Sequence, residues 1–147
     1  MILVDAGPLV ALCDDRDALH ARAVDEVDRV HDRDFLLLTA VLGEACFLLG
    51  TRALRARLQA LVTRLDMQGF AEEASAGFRD PVFEWLDRYG DQQPDFADAC
   101  LAVLSARERS AKVWTFDSEF VTTWRRPDGS RIPVALASPA RRRSRRR

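Results

Sequence analysis

PDFADACLAVLS, residues Pro94 to Ser105, is the segment that decides how the chain folds. From Ala97 to Ala106 it is almost continuously apolar, the pattern of a helix buried on most sides. Pro94 blocks extension of that helix backward, and Asp95 is a good N-cap residue. Asp98, one turn further on, is harder to place. The helix dipole favours an acid in the first turn by about 1 kcal/mol at most. Burying an unpaired carboxylate costs several kcal/mol. A basic side chain or a metal ion is therefore needed beside it, and other acids arriving at the same place would favour the metal.

Downstream, AKVWTFD (Ala111 to Asp117) reads as a strand ending in an acid, with Thr115 a strand residue and Glu119 on a turn or short helix. Pro127 to Ser130 makes a turn, and Ile132 to Leu136 is a plausible last strand that Pro133 would place at a sheet edge. Upstream, Asp80 and Pro81 read as an N-cap and first helical residue. The helix to Tyr89 (Val82, Phe83, Trp85, Leu86) carries more aromatic surface than one core stripe needs, so it is either core or a docking face. Gln68 to Gly77 holds a candidate short strand at Gly69 to Glu73.

The N-terminal half repeats the theme. MILVD, Met1 to Asp5, suits a buried parallel strand ending in an acid, with Gly7 turning and Pro8 at a helix's first position. Asp17 to Val30 is amphipathic, with Leu19, Ala23, Val27 and Val30 inward and Arg22, Asp25, Glu26 and Arg29 outward. His20 and His31 read as surface residues. Phe35 to Leu38 is a second buried strand, after which Thr39 caps an apolar helix, AVLGEACFLLG, whose only charge is Glu44. A second helix, Arg52 to Asp66, sets Leu54, Leu58, Leu61, Val62 and Leu65 against a basic face of Arg52, Arg55, Arg57 and Arg64.

At 147 residues, 48% apolar and 31% charged, the chain suits one soluble globular domain. No run approaches the ~20 apolar residues of a membrane span, and the N-terminus lacks the basic start of a signal peptide. A cytoplasmic location is expected. Cys13, Cys46 and Cys100 are widely spaced among apolar residues and read as reduced core positions. The net charge of -1 hides an asymmetry. RRRSRRR at residues 141–147 holds six of the 22 basic residues, leaving 16 against 23 acids in residues 1–140, or -7.

Alternating strands and helices imply a parallel sheet with helices on both faces. Strand C-termini and helix N-termini then meet along one edge. Asp5 and Asp117 end strands, while Glu44 and Asp98 lie early in helices, so all four fall on that edge. Four converging acids suit a hard divalent cation, Mg2+ or Mn2+, and the absence of His and Cys ligands argues against zinc. Such clusters typically organise phosphoryl transfer, with metal-activated water as the nucleophile.

MILVDAGPLVAL, TAVLGEACFLL, PDFADACLAVLSA and VWTFDSEF, in this order and spacing, resemble the four motifs of the PIN-domain nucleases, particularly the VapC-type toxins of toxin–antitoxin pairs. The resemblance covers residues 1–137 and implies a three-layer α/β fold with a central, mostly parallel sheet flanked by helices. It also implies a Mg2+-dependent endoribonuclease, with Mn2+ as a substitute ion, restrained by a small VapB-like antitoxin and commonly dimeric. Carried over by motif, Asp5 and Asp98 are the principal metal ligands, Glu44 and Asp117 complete the site, and Asp95 is auxiliary. The first motif departs from the pattern: relatives often place Thr or Ser just after the first acid, where this chain has Ala6 and Gly7.

Two other functions compete. A PIN-fold binding or regulatory module would keep the acids with little activity, and the intact quartet counts against it. A signalling receiver also clusters acids around Mg2+, but needs a lysine beside them. Lys112, the single lysine, starts its strand at the far end from Asp117. Residues 138–147 form a basic tail expected to be disordered, with a nonspecific attraction for nucleic acid.

Overall fold

The computed structural model describes residues 1–30 and 34–135. His31, Leu136 and the basic tail, on which expectations were placed, lie outside the described residues. Three short strands, β1 (Ile2–Val4), β2 (Phe35–Leu36) and β3 (Lys112–Trp114), form a parallel sheet in the order β2-β1-β3. Ile2 pairs with both Phe35 and Lys112, and Leu3 with Leu36 and Val113. Being central, β1 is apolar at every position, and all three of its residues are buried.

Seven helices complete the described chain: α1 (Ala6–Cys13), α2 (His20–Val30), α3 (Thr39–Leu49), α4 (Arg52–Arg64), α5 (Ala76–Arg88), α6 (Phe96–Arg107) and α7 (Glu119–Thr122). Helix α1 packs on α2, α3 and α4, while α6 packs on α5, α3 and β3. The expectation for α6 holds: Ala97 and every residue from Ala99 to Ser105 are buried. The aromatic helix α5 is mostly core. Trp85 is buried against Tyr89 and Trp124, and its indole N–H donates to the Arg125 carbonyl at 2.7 Å. None of the described helices is long and apolar enough to cross a membrane.

Several local expectations are corrected, mostly because a distant side chain supplies what a nearby one was assigned. Helix α3 is not capped by Thr39, which is its first residue. Its N-cap is Leu38, and the Glu73 carboxylate accepts the Thr39 and Ala40 amides at 2.8 and 3.1 Å. Glu73 lies in a turn, not a strand. Only Gln68 pairs with the sheet there, through a bridge to Leu36. Helix α5 starts at a Ser75 cap, so Pro81 falls inside it. Proline has no N–H for the carbonyl four residues back. That carbonyl, Gly77, accepts instead from Arg107 of α6. Likewise Pro8 is the third residue of α1, where its missing N–H is still one of the helix's unpaired donors.

Helix α2 begins only at His20, because Asp17 folds back to accept the Leu19 amide. His20 is half-buried, donating from Nδ1 to the Ala11 carbonyl, and Leu19 is exposed rather than inward. Glu26 is the largest departure. It is buried, not outward, accepting from Trp114 Nε1 at 2.6 Å and Arg22 Nε at 2.7 Å. The Arg22 guanidinium in turn lies 4.5 Å above the Phe116 ring. This chain of contacts clamps the segment after β3 against α2. The last expected strand reduces to a Val113–Val134 bridge, with the Pro133 carbonyl accepting the Val113 amide, so Pro133 does sit at the sheet edge.

Candidate active site

Because all three strands run parallel, β1 and β3 end at the same edge, and the chain places an acid beyond each. Asp5 continues the ladder, its amide donating to the Trp114 carbonyl at 3.0 Å. It then caps α1, with Oδ1 accepting the Ala6 amide at 2.7 Å. Asp5 is thus both the acid at the end of β1 and the N-cap of α1. Its other oxygen, Oδ2, accepts from the Thr115 hydroxyl at 2.6 Å.

Thr115 is not a strand residue but lies just past β3, buried, with its hydroxyl accepting the Asp117 amide at 2.9 Å. One hydroxyl thus ties the carboxylate after β1 to the backbone of the acid after β3. Sequence reasoning missed this role, although a hydroxyl two residues before a strand-end acid was the available signal. Asp117 is exposed, and its Oδ1 accepts the Glu119 amide at 2.8 Å.

Helices α6 and α3 supply the remaining acids. Asp95 and Asp98 form a reciprocal capping box: Asp95 Oδ1 accepts the Asp98 amide at 2.8 Å, and Asp98 Oδ2 accepts the Asp95 amide at 3.0 Å. Capping thus accounts for one oxygen of Asp98 and leaves the other. Glu44 is half-buried in the second turn of α3, where its carboxyl feels the charge of Asp95.

The five acids feel one another. Burial pushes Asp5 up to about 6 against the pull of the Thr115 and Ala6 hydrogen bonds, and the Asp95 and Asp117 charges add to it. Burial also pushes Glu44 up to about 7, helped by the charges of Asp95 and Asp5. Asp98 is held well above the usual carboxylate range, first by burial, then by Asp95, with Asp5 and Asp117 contributing. Among the described residues none of the five forms an ion pair. The arrangement is a shared negative charge with no paired cation among the described residues. Lys112 stands at the opposite end of β3, which removes the receiver reading.

The donor set is all carboxylate oxygen, which suits Mg2+ or Mn2+ and not zinc. No three acids among the described residues are gathered tightly enough to enclose an ion as they stand. The fit to a divalent cation is therefore one of charge and ligand chemistry, with Asp5, Glu44, Asp98 and Asp117 the candidates to hold it.

A family model of the PIN domain matches residues 2–123. Among solved structures, that of Mycobacterium tuberculosis VapC20, described as a sarcin-ricin loop cleaving toxin, superposes with a TM-score of 0.66 at 23% identity. The match covers 82% of this chain and 93% of that one, and at this identity it is a likeness of fold. No curated protein matches the sequence.

Proposed function

The chain belongs to the PIN-domain family, and from that premise we propose that it is a Mg2+-dependent endoribonuclease, a VapC-type toxin acting in the cytoplasm. The observation that carries this reading is the convergence of Asp5, Glu44, Asp98 and Asp117 at one sheet edge, where the carboxyls of Asp5, Glu44 and Asp98 have raised pKa values and none of the four acids has a cationic partner among the described residues. VapC20, which shares the fold, is described as a sarcin-ricin loop cleaving toxin. A small VapB-like antitoxin and a second copy of the chain are the proposed partners.

A bound divalent ion would supply a Lewis acid that lowers the pKa of water and offsets charge on the phosphate. The chain's own part is positioning. Asp98, fixed through Oδ2 by its cap, presents its other oxygen at the edge, and Asp5, whose two oxygens accept from Ala6 and Thr115, is held there with little freedom. Asp117, held by Thr115 through its amide, and Glu44, from α3, flank them. Asp95 fixes Asp98 and raises the proton affinity of its neighbours, which favours a cation over empty carboxylates.

The direct test is cleavage of a structured RNA pool by purified protein in Mg2+, Mn2+ and EDTA. Discrete cuts in either ion and none in EDTA are expected. Cutting that persists in EDTA would remove the metal from the reading.

Thr115→Val tests the link between the two strand ends without changing side-chain volume. It removes the donor to Asp5 and the acceptor for the Asp117 amide. Groups that orient metal ligands typically change metal affinity ~10–100-fold. The Mg2+ concentration for half-maximal cleavage should rise about tenfold or more. An unchanged requirement would reduce Thr115 to a structural role.

A further inference from the structure

Beside the acid cluster lies a cavity of about 360 Å³ lined by Thr39, Ala40, Glu73, Ala74 and Phe96. Two of its lining residues neighbour site residues along the chain. Phe96 directly follows Asp95, and Ala40 lies one helical turn before Glu44 on α3. Phe96 is 45% exposed although it opens a helix whose apolar residues are mostly buried, and Phe83 of α5, 57% exposed, backs it with ring centroids 6.0 Å apart. Two exposed aromatic rings held against each other at the rim of a phosphoryl-transfer site are not needed by the core, which has its own aromatic cluster around Trp85.

The polar side of the cavity is equally specific. The Glu73 carboxylate spends one lone pair on each of the Thr39 and Ala40 amides and is thereby fixed in place. About four acceptor positions exist on a carboxylate, so the remaining ones stay open to a donor in the cavity. A flat apolar face next to a fixed acceptor fits a nucleobase: stacking on one side, an amino or imino N–H on its edge. It does not fit a phosphate, which Glu73 would repel.

We propose that this cavity is a base-binding subsite, in which Phe96, backed by Phe83, stacks one unstacked base of single-stranded RNA beside the scissile phosphate while Glu73 accepts from its edge. The proposal rests on the nuclease reading and adds to it a contact that holds one base out of its stack. Stacking on one aromatic side chain is worth enough per base to change affinity several-fold to a hundredfold.

The probe is a short single-stranded oligoribonucleotide with one 2-aminopurine, whose fluorescence is quenched by stacking, titrated with Ca2+ in place of Mg2+. The unaltered chain should quench it. Phe96→Leu, which keeps apolar bulk but loses the π-face, should weaken binding about tenfold and remove most of the quenching. Phe83→Leu should have a smaller effect in the same direction. Phe47→Leu, an exposed ring on α3 outside the cavity, should behave as the unaltered chain. Equal behaviour of Phe96→Leu and Phe47→Leu would overturn the subsite, as would a Phe96→Leu protein that keeps its quenching and loses only a protein partner. Quenching without hydrolysis in Mg2+ would keep the subsite and discard the nuclease reading. Hydrolysis without quenching would do the reverse.

Discussion

Asp98→Asn is expected to abolish Mg2+-dependent RNA cleavage, a loss of a thousandfold or more, while raising the melting temperature of the metal-free protein at pH 8. The two effects have one origin. Asp98 is held by the capping box through Oδ2, and an asparagine carbonyl oxygen accepts the same Asp95 amide, so the start of α6 is preserved. What the substitution removes is a negative charge that burial and its acidic neighbours already disfavour. In cleavage, that charge is a principal part of the proposed ion-holding set, and a thousandfold loss corresponds to about 4 kcal/mol of transition-state stabilisation. In the metal-free protein the same charge is only repulsive, so its loss stabilises. Thermal melts in EDTA, run beside the cleavage assay, separate the explanations. A lower melting temperature would mean that the fold is damaged and the lost activity says nothing about the site. Preserved activity would remove Asp98 from the chemistry.

That Asp98 was an anomaly could be seen from the sequence, because the apolar run around it and its own charge are local facts. The same holds for the buried β1, for Asp5 at its end and for Glu44 as the one charge of α3. The features that escaped depend on partners far away in the chain. Glu26 fits an outward position by its polarity, and only Trp114, 88 residues on, explains its burial. Thr115 reads as an ordinary strand residue until Asp5, 110 positions away, is placed against it. The cap of α3 comes from Glu73, 34 residues beyond the first amide it accepts. In α5 the local signals conflict: both Ser75 and Asp80 are good caps, and Asp80 has the better-looking proline. The deciding contact is again remote, since Arg107 accepts the consequence of a proline inside the helix by donating to Gly77. Local pattern locates the acids; tertiary contacts determine what holds each of them.

The same electrostatics predict that the metal-free protein loses stability as pH rises from about 4 to about 7, and that Mg2+ restores it. Asp5 and Glu44 bind protons more tightly in the folded state than their ordinary values of 3.8 and 4.5, with folded values of about 6 and about 7. The folded state therefore carries more protons than the unfolded one across that window, and stability falls with pH. The contribution is fully present below about pH 4 and is gone above the folded values. For Asp5, buried and shifted by about two pH units, the loss is roughly 3 kcal/mol. Glu44 is more exposed and adds less. Asp98 acts in the same direction, while the groups with lowered values, Asp14 beside Arg16 and Asp128 beside Ser130, act oppositely and only at lower pH. A stability maximum near pH 4–5 in EDTA follows, on the acid side of the usual range. A divalent ion binds the deprotonated acids of the folded state alone. At a hundred times its dissociation constant it returns about 2.7 kcal/mol, close to the Asp5 share of what deprotonation removed. Melting curves from pH 4 to pH 8 should thus fall by on the order of 5–10 °C in EDTA and flatten with Mg2+. A curve in EDTA that is flat or rising would mean that some cation of the chain itself already neutralises the cluster, and the case for a bound metal would lose its main physical support.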